Sequence, residues 1–425
     1  MKRVLILANN CLSDTNANGR TLANMLSGYP KDCLAQFSLQ AENPDFECCE
    51  NYFSISDSEA LRAFVKGTKV GRRLKKQELR GKPEAGTERK RARTPLTMLL
   101  RNLVWNSGRW KKGGFCAFVR AFAPEVILLQ AGDCAFLLRL ARKLSKEYHI
   151  PLVIYNSEGY YFKNYDYFRA RGLAHFCYPL FRLQFCRQFR RTMRAASYAV
   201  YNCDALQKAY AAAFSTPSAV IYTATRLRPC KKRVENPLPR ISYYGNLGVG
   251  RHEALLTAAR TLRELAEDCC IDVYGKAPSE EIEQALKECR QIRFHGFVSY
   301  AQVQDGMRES DILLHIESFD DFYREDSKYA FSTKIADSLA CGSCFLLFAP
   351  QEFACAQYLR ENEAAYVVSD LPTLEQTLDR LLHAPEARER YIANALRLVE
   401  KNHSPETNAA RFARILNDVK TEEKT

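Results

Sequence analysis

Two stretches of this sequence bring basic side chains to places where backbone N–H groups are left unpaired, the arrangement that holds an anion. In the first, Phe331-Ser-Thr-Lys-Ile-Ala-Asp-Ser-Leu-Ala-Cys-Gly342, Ser332 and Thr333 are N-cap residues. Ile335 and Leu339 stand on one apolar face, and Gly342 ends the helix. The start of such a helix carries partial positive charge, and two hydroxyls and the Lys334 ammonium sit beside it, which suits a phosphate or diphosphate. Asp337 and Ser338 share the face of Lys334 and reach toward any sugar that continues beyond the phosphate. The second stretch is Ile241-Ser-Tyr-Tyr-Gly-Asn-Leu-Gly-Val-Gly-Arg251. Its glycine-rich turn, with Gly248 and Gly250, follows a strand and precedes the helix His252–Leu265. Backbone N–H groups can approach phosphate there, and Arg251 can bind it bidentately. Both stretches also fit plain structural roles, a capped helix and a tight turn. The glycine spacing is not that of a dinucleotide fingerprint.

Two carboxylates lie where strands end. Glu158 follows the strand Pro151–Tyr155 and is a candidate contact to an acceptor or a transferred sugar, or else a surface acid on a loop. Glu317 follows the strand Asp311–Ile316 and either faces a ligand or caps its loop.

The elements needed to position these residues alternate. Lys2–Ala8, Leu34–Leu39, Val126–Gln130, Leu152–Tyr155, Tyr198–Tyr201 and Val220–Tyr222 read as strands, separated by helical stretches such as Phe136–Tyr148. Residues 225–240 hold three prolines and few core candidates, the composition of an interdomain linker. Beyond them a second series runs from Ile241 through the strands Ile271–Tyr274, Ile292–His295, Asp311–Ile316, Cys344–Phe348 and Ala365–Val368. It ends in a helix over Pro405–Val419. This βαβ alternation predicts two doubly wound α/β domains, at 1–224 and 241–400, with 401–425 as a C-terminal helix. A chain of 425 residues, 47% hydrophobic, is long enough for two cores.

Charge is concentrated. Between Lys66 and Lys112 sixteen Lys or Arg stand against three Glu, a surplus that equals the net charge of +13 for the whole chain. The first part, to Thr94, is poor in apolar residues and reads as a flexible excursion. The second, Pro95–Lys112, mixes two tryptophans with basic residues, as membrane-surface segments do. A basic amphipathic helix over Phe181–Arg194 adds to this. Together, 66–112 and 181–194 point to an anionic inner membrane surface, with a solvated loop and a core helix as the alternative. Nucleic acid ranks lower, because no recognised binding module accompanies the charge. No apolar run has membrane-spanning length.

The sixteen cysteines are scattered rather than arranged as a disulfide framework, which predicts a reducing cytoplasm. Cys341-Gly-Ser-Cys344 has redox spacing, yet its cysteines end a helix and open a strand, so a structural role is favoured. The seven histidines show no metal-ligand spacing, and no metal is predicted.

The stretch Ser332–Gly342 resembles the donor-site helix of retaining GT-B glycosyltransferases, the family 4-like group. It matches the branch carrying S-x-K-I-x-[DE]-x-L-A-x-G. The resemblance is strongest over 242–368 and implies a GT-B fold, two Rossmann-like domains facing each other across a cleft, with the final helix returning to the first domain. It implies a nucleotide-diphosphate sugar as co-substrate, UDP ahead of GDP, no other cofactor, and a glycan or lipid-linked acceptor in polysaccharide or cell-envelope synthesis. By the same resemblance Gly248, Gly250, Arg251, Ser332, Thr333 and Lys334 bind the donor diphosphate, with Arg251 and Lys334 catalytic; Glu158 joins them as the candidate read from its place after a strand. Asp337 takes the ribose, Gly19, closing the polar loop Asn9–Gly19 after the first strand, lies toward the sugar beside the positional candidate Glu317, and the turn Gly296, Phe297, Val298 holds the base. Tyr329 stands where the fuller motif of the family has its first glutamate. That departure keeps open a non-catalytic nucleotide-sugar-binding or membrane-scaffolding protein. A nucleotide-sugar epimerase would need a pair of acid/base groups converging on the sugar, and none is visible.

Overall fold

The structure, a computed structural model, describes residues 1–13, 16–39, 44–76, 93–229 and 238–421. It forms two compact units: Met1–Tyr222 with Pro405–Thr425, and Thr223–Ser404.

The first unit begins β1 (Val4–Ala8), α1 (Ala17–Met25), β2 (Leu34–Ser38), β3 (Asn51–Ser54), α2 (Asp57–Lys66), β4 (Arg72–Leu74), α3 (Pro95–Asn106) and α4 (Phe115–Phe122). It continues β5 (Val126–Ala131), α5 (Ala135–Tyr148), β6 (Leu152–Asn156), α6 (Leu173–Phe176), α7 (Tyr178–Ala195), β7 (Tyr198–Tyr201), α8 (Asp204–Ala211) and β8 (Ser218–Val220). The sheet order is β4-β3-β2-β1-β5-β6-β7-β8. All pairs are parallel except β3 with β4. The order reverses direction beside β1. Its sequence VLILA is buried throughout, because helices cover both faces of such a sheet and leave no polar side for alternation to mark.

Three expectations are corrected here. β4 is ordered within the basic stretch read as an excursion, held by antiparallel pairing of Tyr52 with Leu74; residues 77–92 of that stretch lie outside the described residues. The two tryptophans do not face a membrane. Trp105 and Trp110 are buried, Trp110 stacking on Phe37 with ring centroids 5.5 Å apart, because the helical period of α3 turns Met98, Asn102 and Trp105 inward together. Both indole N–H groups are satisfied, Trp105 Nε1 donating to Asp57 at 2.7 Å and Trp110 Nε1 to the Trp105 carbonyl at 2.8 Å. Finally, the last strand is β8 at Ser218–Val220, earlier than Val220–Tyr222.

The second unit runs β9 (Ile241–Tyr244), α9 (Arg251–Leu265), β10 (Ile271–Tyr274), α10 (Glu280–Glu288), β11 (Ile292–Gly296), α11 (Tyr300–Glu309) and β12 (Ile312–Ile316). It continues α12 (Asp321–Ser327), α13 (Thr333–Ala340), β13 (Cys344–Phe348), α14 (Ala354–Glu361), β14 (Tyr366–Val368), α15 (Leu371–His383) and α16 (Glu389–Asn402). Its sheet has the order β11-β10-β9-β12-β13-β14, parallel throughout. α9 lays Leu255, Ala259 and Leu262 on the core, and Cys344 is a buried free thiol opening β13. Within the stretch expected as a linker, Thr225 and Leu227 are buried, and residues 230–237 lie outside the described residues. His403, fully buried after α16, hydrogen-bonds the Thr223 carbonyl through Nδ1 at 2.7 Å and accepts the Tyr358 hydroxyl at Nε2, 2.9 Å away. The last helix, α17 (Pro405–Asp418), belongs to the first unit, packing on α1 with Phe412 and Leu416 in that core.

Candidate functional site

In a parallel sheet wound in two directions, the loops at the carboxyl ends of the two strands flanking the reversal splay apart and leave room for a ligand. In the second unit those strands are β9 and β12. The loop after β9 is the glycine turn. Its shape is held from below: the Tyr243 hydroxyl donates to the Asn246 carbonyl at 3.1 Å, and Asn246 Oδ1 accepts from the Gly248 N–H at 3.0 Å. Val249 and Gly250 both take positive φ, 54° and 74°. A β-branched residue is costly in that region, about 1–3 kcal/mol, and such strain persists where the surrounding structure imposes it. Gly250 has a second reason to be glycine, since a Cβ there would lie 2.4 Å from Ser318 Oγ, on the loop after β12, and 2.8 Å from the Tyr323 ring in α12.

The two loops are joined by an ion pair. Arg251, first residue of α9, reaches Glu317, the residue after β12. Nε lies 2.9 Å from Oε2, and Nη2 lies 3.0 and 2.7 Å from the two oxygens. The Glu317 side chain is 3% exposed and that of Arg251 16%. His315 Nε2 donates to Oε1 at 3.3 Å. Burial raises the pKa of the Glu317 carboxyl, but the His315 hydrogen bond and the Arg251 charge outweigh it and hold the group below its ordinary range. Arg251 thus spends two nitrogens of its fork on Glu317. Its Nη1 makes no hydrogen bond to a described residue.

The predicted helix at 332–342 is α13. Ser332 is its N-cap, with Oγ accepting from the Lys334 N–H at 3.3 Å; Ser332, Thr333 and Lys334 are half-buried in its first turn. Asp337 faces inward. Its Oδ1 accepts a short hydrogen bond from Thr225 Oγ1, and its Oδ2 accepts from the Tyr300 hydroxyl at 3.1 Å. Tyr300 opens α11, directly after the turn Gly296-Phe297-Val298, so Asp337 is tied to the segment expected to hold a base. Phe297 is 82% exposed there, an apolar ring face without a packing role.

The first unit presents its own reversal between β1 and β5. Gly19 lies in the first turn of α1, not in the preceding loop as the sequence reading had it, because Asn16 caps the helix by accepting from the Gly19 N–H at 2.6 Å. A Cβ on Gly19 would sit 2.3 Å from the Cys11 carbonyl oxygen. Glu158 follows β6, its carbonyl accepting from Tyr210 at 3.2 Å. Nearby, at the ends of β6 and β7, Asn156 Nδ2 and Asn202 Oδ1 are buried without a hydrogen-bond partner. After β5, buried Asp133 takes both oxygens to Arg93 and accepts from Tyr167 at 3.1 Å.

The second unit therefore brings together Gly248, Gly250, Arg251 and Glu317, and separately Asp337 with the 296–298 turn. Gly19 and Glu158 belong to the first unit. Sequence reading missed His315, Thr225, Tyr300, Asp133 and Arg93. His315 sits two residues before Glu317, a spacing that hints at a shared face of the strand; Thr225 and Arg93 carry no local signal at all. Among the described residues no group of three or more His, Cys, Asp or Glu is placed to hold a metal ion.

Residues 251–414 match the family model described as glycosyl transferase-like. No curated protein matches the sequence. Among solved structures, HepE of Anabaena in complex with UDP and glucose is 12% identical, covers 98% of this chain and 100% of its own, and superposes with a TM-score of 0.63. Sucrose-phosphate synthase of Thermosynechococcus elongatus gives 10%, 98% of each chain and 0.64. The fold is GT-B. A GT-B chain consists of two Rossmann-like α/β domains, as found in these relatives, and the glycosyl transferase-like match begins at Arg251 itself. A third GT-B relative, the E. coli trehalose-6-phosphate protein bound with UDP-2-fluoro glucose, is 11% identical over 99% of this chain and 100% of its own, with a TM-score of 0.61.

Proposed function

We propose that this protein is a glycosyltransferase that moves a hexosyl group from a UDP-sugar to a glycan or lipid-linked acceptor, with retention, in polysaccharide or cell-envelope assembly. The observation that carries the reading is the pairing of a strained glycine turn with the Arg251–Glu317 bridge at the reversal point of the second sheet. UDP ranks ahead of GDP because the GT-B relatives HepE and the trehalose-6-phosphate protein were solved with UDP or UDP-sugars.

In this reading the backbone N–H groups near Gly248 and Gly250, Nη1 of Arg251, the Lys334 ammonium and the Ser332/Thr333 helix end meet the diphosphate. Negative charge grows there as the bond to the sugar C1 breaks, and donors already fixed in place stabilise it without reorganising. Glu317, closed off and engaged by Arg251 and His315, acts by positioning Arg251 rather than by touching the sugar. Asp337, ordered by Thr225 and Tyr300, accepts from the ribose, and Phe297 stacks on the base. The acceptor hydroxyl attacks C1 from the face that the diphosphate leaves and passes its proton to the departing phosphate oxygen, so no side-chain nucleophile is required, and Glu158 contacts the acceptor. No helix among the described residues is long and apolar enough to cross a membrane. The scattered cysteines are what place the chain, in this reading, in a reducing cytoplasm.

Calorimetric titration with UDP and GDP tests the donor site. UDP binds, and Lys334→Ala weakens it about tenfold or more, the loss of a charge-assisted contact of roughly 1.5–3 kcal/mol. If neither nucleotide binds the folded protein, the donor reading falls. Tyr329 at the motif position of an acid favours a second reading, a nucleotide-sugar-binding protein without turnover; release of UDP from a UDP-hexose separates the two.

A further inference from the structure

Three helices of the first unit that pack together, α3, α6 and α7, contain no Asp or Glu and carry seven of the fifteen large apolar side chains left exposed among the described residues. The pattern along α6 and α7 is directional. Phe176, Leu180, Leu183, Arg187, Arg190 and Arg194 recur at intervals of three and four, so they form one outward stripe, apolar at its beginning and basic at its end. Phe176 is 78% and Leu183 61% exposed, while Phe181, Phe185 and Phe189 fill the opposite, buried face. On α3, Leu96, Leu100 and Leu103 recur at the same intervals and are also exposed. Asn102, fully buried, donates to Gln184 at 2.8 Å and joins α3 to α7.

Exposed leucine and phenylalanine gathered on three packed helices mark a binding surface, because exposing them to water is unfavourable. The charge selects the partner. Apolar side chains that end in a row of arginines, with no acid among them, match the acyl boundary and the phosphates of an anionic bilayer. We propose that the α3–α6–α7 face is a membrane-docking surface for anionic lipid. Composition pointed to Phe181–Arg194, which supplies Arg187, Arg190 and Arg194, but also to the tryptophans, which are in the core; exposed leucines take their place in the docking. The purpose of the surface rests on the glycosyltransferase reading. α3 begins just after Arg93, whose partner Asp133 lies at the carboxyl end of the first sheet, so a lipid-linked acceptor would arrive beside the loops meant to hold it.

Sedimentation of the full-length protein with vesicles of phosphatidylglycerol and phosphatidylcholine in equal parts, beside pure phosphatidylcholine, tests this. The protein partitions onto the anionic vesicles only. The triple variant Arg187→Gln, Arg190→Gln, Arg194→Gln loses on the order of a hundredfold at low salt, about fivefold per residue. The double variant Leu100→Ser, Leu183→Ser loses about tenfold. If both variants bind as the wild type does, or if the leucine variant only abolishes self-association of a protein that ignores vesicles, the proposal is overturned. Heats of UDP binding are read on the same samples. Vesicle binding without UDP binding leaves the docking face standing and removes the donor reading; the reverse result does the opposite.

Discussion

Replacing Glu317 by Ala strands the Arg251 guanidinium where little water can reach it, because its side chain is only 16% exposed. The pair is bidentate, with His315 as a third member, so the loss is of the kind that breaks a buried ion pair, about 3–5 kcal/mol. The second unit runs from Thr223 to Ser404, and for a unit of that size the loss lowers the unfolding midpoint by roughly 6–20 °C. Exchanging both partners, Arg251→Met with Glu317→Leu, removes the charges together and is expected to return most of that stability, since apolar replacements of buried pairs are commonly neutral. Binding of UDP should behave differently. Under the proposed mechanism Arg251 reaches the diphosphate through Nη1, so the double variant stays deficient in UDP affinity by about tenfold or more even when it is stable again. Scanning calorimetry gives the first quantity and isothermal titration the second. Recovery of UDP affinity along with stability would refute a donor role for Arg251. A Glu317→Ala shift below about 1 kcal/mol would refute the buried pair itself.

Burial pushes the His403 imidazole down from its ordinary 6.5 to about 4, against the Thr223 hydrogen bond, which raises it. Between those values the unfolded chain takes up a proton that the folded chain refuses. Stability is therefore full above about pH 6.5 and falls by about 2 kcal/mol by about pH 5. Urea unfolding midpoints at the two pH values measure this, and His403→Gln should flatten the dependence; a wild-type slope unchanged by that substitution would place the titration elsewhere. Gly250→Ala meets both a φ of 74° and Ser318 Oγ at 2.4 Å, and should cost about 1–3 kcal/mol while weakening UDP binding through displacement of the turn. An alanine variant matching the wild type in both thermal midpoint and UDP affinity would show that the turn is looser than its contacts imply.

Local chemistry in the sequence was sufficient for the α/β alternation. Buried parallel strands such as VLILA in β1 and CFLLF in β13 are continuous apolar runs, and capping residues such as Ser332 announce helix starts before any partner is known. The same local signals marked the turn at Gly248, Gly250 and Arg251 and the first turn of α13 as places with unpaired backbone N–H groups, because tight turns and helix ends are written in neighbouring residues. They were silent on which atoms meet. Arg251 and Glu317 are 66 positions apart and become a pair only because β9 and β12 are adjacent across the reversal of the sheet. Thr225 reaches Asp337 over 112 positions, and His403 reaches Thr223 over 180. Composition also could not tell which face of an amphipathic helix is buried. It joined the tryptophans in and after α3 to the basic residues around them, whereas packing took Trp105 and Trp110 inward and left Leu100 and Leu103 out. The sequence by itself determined the kinds of element and the groups able to bind an anion. The tertiary structure decided which charge neutralises which and which apolar stripe meets solvent, because both depend on contacts between strands and helices far apart in the chain.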